Sequence, residues 1–150
     1  MNGEGDQQGG VGSEDLNIRP ILILKEDLIM NGDLKDRTKR FALRIIKLYS
    51  ALPKRGPGQV LGIQILKSGT SPGAQYREAQ RAKSNADFIS KIEGALQELD
   101  ETIYWLELIS ESGILPQRRL ESLLKEAEEL MAILVTIVLT VKRRGRSHLR

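Results

Sequence analysis

The sequence predicts an all-α fold, an antiparallel up-down-up-down four-helix bundle, on three observations. Apolar residues recur at alternating three- and four-residue steps in successive segments, the period of one helix face. Clusters of proline, glycine and capping residues separate those segments. Aromatics make up only 4% of the chain, so the core must be aliphatic, which suits helix-on-helix packing. At 150 residues the length matches one domain.

Residues 1–17 are rich in glycine, glutamine and acids and are expected to form a disordered tail. Pro20–Leu24 reads as a short strand or extended apolar arm, and Asn31-Gly32-Asp33 as a break that caps the first helix. Together these make residues 1–33 an N-terminal arm, residues 34–142 the bundle and residues 143–150 a basic C-terminal tail.

The first helix is expected from Leu34 to Leu52, with Leu34, Phe41, Ile45, Leu48 and Leu52 on one face and Thr38 filling a slot. Pro53–Gly58, two prolines and two glycines in six residues, ends it. A second helix spans Gln59–Lys83. Its middle, Ser68–Ala74, has the propensity of a loop. The competing reading is that small residues there admit a neighbouring helix, with a kink at Pro72.

Ser84 and Asp87 form a capping-box-like start for the third helix, which runs to Ser112 before Gly113 as C-cap. Phe88, Ile92, Leu96, Leu99, Ile103 and Leu106 form its stripe, while Ile89, Tyr104, Trp105 and Leu108 lie off it. The fourth helix starts at Pro116 or Gln117. Leu120, Leu124, Ala127, Met131, Leu134, Val138 and Val141 give it a heptad seam.

Charge is segregated along the chain. Leu34–Lys91 carries thirteen basic residues against three acids, and Ile92–Glu129 ten acids against three basic residues. In one reading the two regions pair, within the bundle or between subunits. In the other, a basic face meets phosphates. The candidate phosphate contacts are Lys35, Arg37, Lys39, Arg40, Arg44, Lys47, Arg77, Arg81 and Lys83. Single-strand binders interleave aromatics with such charges, and these are missing, so any contact would be to the backbone and independent of sequence.

Several kinds of chemistry are excluded. No cysteine is present, so there are no disulfides or thiolate metal sites. The one histidine, His148, falls in the basic tail, which removes Ser-His-Asp catalysis and the Glu-x-x-His pairs of di-metal bundles. Lys67-Ser68 resembles the end of a phosphate-binding loop, but Leu66 and Leu61 stand where that loop needs glycine. The carboxylate pairs Glu98/Glu101 and Glu126/Glu129 read as solvated or ion-paired. No catalytic residue, metal or cofactor is expected. The N-terminus lacks the basic-then-apolar order of a secretory signal, and the longest apolar run, Leu130–Val141, would reach only about 18 Å as a helix. A cytoplasmic protein without membrane contact is the expectation.

Leu66–Leu108 also carries Ser68-Gly-Thr-Ser71, Gly73-Ala74, Arg77-Glu78-Ala79, Ala86-Asp87-Phe88-Ile89 and Glu101-Thr-Ile-Tyr-Trp-Leu106. These resemble the signature of the bacterial four-helix bundle family encoded in intervening sequences of large-subunit ribosomal RNA genes, and Phe41–Leu48 resembles that family's first helix. Pro72 and Gln75 depart from the pattern. The resemblance implies an up-down bundle in which 68–74 lies inside helix two. It also implies a homo-oligomer, a pentamer in several members. One related branch, the accessory variability determinant of diversity-generating retroelements, works with a reverse transcriptase and RNA and implies these as partners, while the basic segment by itself leaves RNA or DNA open.

The off-stripe residues Ile89, Tyr104, Trp105 and Leu108 give helix three more apolar surface than one core-facing stripe accommodates. The surplus is expected to form a subunit interface, with Trp105 at its boundary.

Overall fold

The computed structural model describes the backbone of residues 25–148 and the side chains of 33–148. Within that range the chain forms four helices, α1 (Lys25–Ala51), α2 (Pro57–Gln80), α3 (Asn85–Glu111) and α4 (Glu121–Ser147), with a 3-10 turn at Gln117–Arg119 before the last. Each packs against the next, and α4 returns beside α1 to complete an up-down bundle. The tail at 1–17 and the arm at Pro20–Leu24 lie outside the described residues.

Helix α2 ends at Gln80 and not at Lys83, α4 begins at Glu121 after the 3-10 turn and not at Pro116 or Gln117, and two further boundaries differ from the sequence reading. Asn31-Gly32-Asp33 does not break the chain, because α1 begins at Lys25 and runs through it. One glycine costs a helix interior only about 1 kcal/mol, which the surrounding turns offset. The basic segment after Lys142 is not a tail up to Ser147. It continues α4, and His148 caps the helix with its backbone N–H on Arg144 O.

The turns follow the chemistry of their residues. Among the described residues, Gly56 and Gly113 are the positive-φ glycines, at 68° and 76°, in the two connections that reverse the chain between α1 and α2 and after α3. Ser84 Oγ accepts the Asp87 N–H at 3.0 Å, and Asp87 Oδ2 accepts the Lys83 N–H. The start of α3 is thus held by a box that closes one residue upstream of the usual one.

The stretch 68–74 is helical. Pro72 sits inside α2 and is buried. Its ring removes one i→i−4 bond. The hydroxyls of Thr70 and Ser71 donate to the carbonyls of Leu66 (2.7 Å) and Lys67 (2.6 Å) in the same turn. The small residues admit both neighbours. A methyl group on Gly69 would come within 2.6 Å of Ile45 Cγ1, and one on Gly73 within 3.3 Å of Thr38 Oγ1. On the other side, the buried Ser68 and Thr102 hydroxyls hydrogen-bond at 2.9 Å, joining α2 to α3. Thr38 fills its slot by donating to Leu34 O at 2.7 Å. Tyr76, further along α2, is fully buried, and burial pushes its phenol pKa up, so it stays neutral.

The core matches the expected α1 face except that Leu48 is only half-buried. On α3, Ala95 and Thr102 are buried where Leu96 and Ile103 were expected, because α3 leans furthest onto α2 and close approach there favours the smaller residues. On α4, Leu123 and Leu130 take the place of Leu124 and Met131, which lie half-buried at its edge.

Gly69→Ala is expected to destabilise the bundle by about 1–3 kcal/mol through overpacking against Ile45. Gly145→Ala, which would meet nothing within 4 Å, should stabilise by up to about 1 kcal/mol through helix propensity. Urea denaturation of both variants checks the pair.

Candidate nucleic-acid interface

Helices α1 and α4 touch far less than the other neighbouring pairs, so the seam between them is open. Arg40, Arg44 and Lys47 follow one another at four- and three-residue steps on the edge of α1 that borders it. Arg119, on the 3-10 turn before α4, comes in from the other side. Together Arg44, Lys47 and Arg119 line a cavity of about 460 Å³ with Leu48, Ser50, Ala51 and Leu123, and no carboxylate lines it. Arg44 Nη2 donates to Ser122 Oγ at 2.7 Å, which ties the guanidinium to α4. A second cavity of about 310 Å³ adjoins the first through Arg44 and is lined by Arg37, Arg40, Phe41 and Glu126.

Arg37 plays a different part. Its Nη2 lies 2.9 Å from Glu126 Oε1 and 3.0 Å from Glu129 Oε2, with Asp33 at 3.9 Å. Burial alone would lower its pKa, but the hydrogen bonds and charges of these carboxylates outweigh that and raise it. Arg37 is therefore a bridge between α1 and α4, and the pair Glu126/Glu129 is ion-paired.

The nine expected phosphate contacts do not form one face. Lys35 and Lys39 are exposed, but Lys35 is nine residues from Arg44, about half a turn around the helix axis. Arg77, Arg81 and Lys83 are exposed at the far end of α2, roughly 35 Å along the bundle from Gly58. Arg40 pairs with Asp36 at 3.2 Å on its own helix. Arg119 was not among the expected residues. Nothing local marks it, since its role comes from packing beside a helix some seventy positions earlier.

Pairing between the basic and acidic regions is real but partial. Arg37 joins them through Glu126 and Glu129, the Lys91–Glu78 pair falls within the basic region, and Lys142 reaches Glu93 from beyond both. Arg44, Lys47 and Arg119 make no ion pair among the described residues. Glu98 and Glu101 do not converge with Arg77 and Glu78. The Glu78–Lys91 pair sets the register, and Glu101 lies ten residues, about 15 Å, further along α3. Burial, then the charge of Glu101, raises the pKa of Glu98 against the opposing pull of Lys67. Among the described residues no group of histidine, cysteine, aspartate or glutamate could hold a metal ion. No described helix is long and apolar enough to cross a membrane.

Of the off-stripe residues of α3, Tyr104, Trp105 and the half-buried Leu108 lie within one helical turn, and Ile89 stands fifteen residues before Tyr104. Ile89 and Trp105 are half-buried against the core. They stand sixteen residues apart, about 160° around the axis, on opposite edges of α3. Tyr104 is exposed and its ring lies 5.0 Å from that of Trp105, tilted by 54°. The larger exposed apolar surface is on α1 and α2. There Leu43, Ile46 and Tyr49 follow at three-residue steps, as do Val60 and Ile63, and Gly62 meets the Tyr49 ring.

The family model of the 23S rRNA-intervening sequence protein matches residues 31–136. The chain belongs to this family. It is also similar to a crystal structure, at 1.70 Å resolution, of a protein with unknown function from the S23 ribosomal protein family of Bacteroides thetaiotaomicron VPI-5482. The two are 41% identical with a TM-score of 0.65, over 70% of this chain and 97% of that one. A search of curated proteins gives no match. The family match covers α2, α3 and the groove-lining parts of α1 and α4, so the groove belongs to the shared bundle.

Arg37→Gln should cost about 1 kcal/mol of stability by leaving two carboxylates without their cation. Lys47→Gln should leave stability within about 0.5 kcal/mol. Thermal melts of the two variants distinguish the bridge from the groove.

Proposed function

We propose that the chain is a non-catalytic binding protein of the cytoplasm whose α1–α4 groove takes the phosphate backbone of RNA or DNA without regard to base sequence. The supporting observation is the convergence of Arg44, Lys47 and Arg119 on one concave surface that no carboxylate lines. Like charges held together in this way repel one another, and an anion relieves that repulsion. The cavity has no aromatic lining on which bases could stack, which favours backbone contact over base readout.

A second reading, an assembly module with protein partners only, draws on the exposed Leu43 (55%), Ile46 (45%), Val60 (58%) and Ile63 (44%). Apolar surface of this kind marks protein contacts. The two readings are compatible in a homo-oligomer that buries α1–α2 and leaves the α1–α4 seam free, with a nucleic-acid enzyme such as a reverse transcriptase as a further partner.

Binding to a single-stranded RNA, followed by fluorescence anisotropy against salt, tests the first reading. Three to four contacts predict a slope of roughly −2 to −3 in log affinity against log salt, and each groove cation replaced by glutamine should reduce it by about 0.7. Undetectable binding at low salt, with a homo-oligomer in light scattering, would leave the assembly reading alone.

A further inference from the structure

The groove has a direction. Its carboxylate-free cavity lies where α1 ends, at Ala51, and where the 3-10 turn leads into α4. Toward the middle of the bundle the first carboxylate of the seam appears, since Glu126 lines the adjoining cavity beside Arg37, Arg40 and Arg44, and the Arg37–Glu126–Glu129 bridge crosses from α1 to α4. A strand threaded through the groove would meet that bridge, where two carboxylates share one guanidinium. A strand that stops in the groove would not. Three cations also exceed what one internal phosphodiester, with a single negative charge, can balance. A terminal phosphate monoester carries close to two charges at neutral pH, with a second pKa of about 6. The volume of about 460 Å³ admits that group with its sugar. Arg44 donates one N–H to Ser122 and keeps its remaining guanidinium N–H groups for a ligand.

We infer that the Arg44–Lys47–Arg119 cavity is a receptor for the phosphorylated end of a nucleic-acid strand. This rests on the nucleic-acid reading above and narrows it to the strand terminus. Lys47 and Arg119 supply charge to the phosphate, and Arg44 supplies charge and orientation. The Arg37 bridge acts as the stop that separates an end from a continuing chain.

The test compares one single-stranded RNA sequence prepared with a 5′-phosphate, with a 3′-phosphate and with neither, bound to the full chain at fixed salt. A phosphorylated end should bind about five- to tenfold more tightly than the unphosphorylated strand. That preference should shrink as pH falls below about 6, where the monoester loses its second charge. Arg119→Gln and Lys47→Gln, each checked for an unchanged melting temperature, should remove the preference. Lys35→Gln and Lys39→Gln, on the other edge of α1, should preserve it. Equal binding of all three strands, with steep salt dependence intact, would overturn the end receptor and leave the backbone reading standing. Absence of binding by every strand would overturn both. A nucleoside 5′-monophosphate that binds as tightly as the phosphorylated strand would assign the cavity to a free nucleotide and also overturn the inference.

Discussion

Ile45 lies against the bare Cα of Gly69, at a distance that leaves no room for even one methyl group. This approach is possible because α2 carries serine, glycine and threonine where a helix interior ordinarily carries larger residues, and because the flanking hydroxyls bond to the helix's own carbonyls. The same stretch receives α3 through Ser68 and Thr102. Helices α1, α2 and α3 thus form a tight sheaf with α2 in the middle. A radial gap of about 0.5–1 Å forfeits a quarter to a half of the dispersion attraction, so α1 is held mainly by α2, and the seam on its α4 side is the looser one.

With little apolar contact across the seam, charge determines its character. Arg37 closes it at one level with Glu126 and Glu129. One to three helical turns further along α1, Arg40, Arg44 and Lys47 have no carboxylate of α4 opposite them except Glu126, and Arg119 adds to the excess. Segregated charge in the sequence therefore serves two purposes here. Part of it joins helices, in the Arg37, Lys91 and Lys142 pairs. The rest is left as an uncompensated field at a concave surface, where such fields act most strongly on an approaching anion.

The helices themselves were legible in the sequence because period and punctuation agreed at almost every boundary, from Pro53–Gly58 to Ser84 and Gly113. Ser68–Ala74 was not legible from propensity. Its helical state depends on two neighbours that only the tertiary fold supplies, and the family resemblance was needed to place it in helix two. Asn31-Gly32-Asp33 misled for the related reason that a local break signal is weak beside continuous helix on both sides. On α4 the expected Leu120, Ala127, Leu134, Val138 and Val141 are buried, but two slots fall to Leu123 and Leu130, one residue before Leu124 and Met131, a choice the heptad spacing alone leaves open. The basic residues of α1 were visible as candidates, but their division into a bridge, a groove and a far edge was not. It depends on which residues of α4 stand opposite, and a one-dimensional charge count does not contain that information.

The central claim is that the open α1–α4 seam, and not the basic far end of α2, receives the phosphate backbone. Backbone amide chemical shifts of isotopically labelled protein, recorded as a single-stranded oligonucleotide is added, address it most directly. The account predicts that the largest changes cluster at residues 44–51 and 117–123, with small changes at 77–83. Changes concentrated at 77–83, or absent from both sides of the seam while binding is saturated, would contradict it.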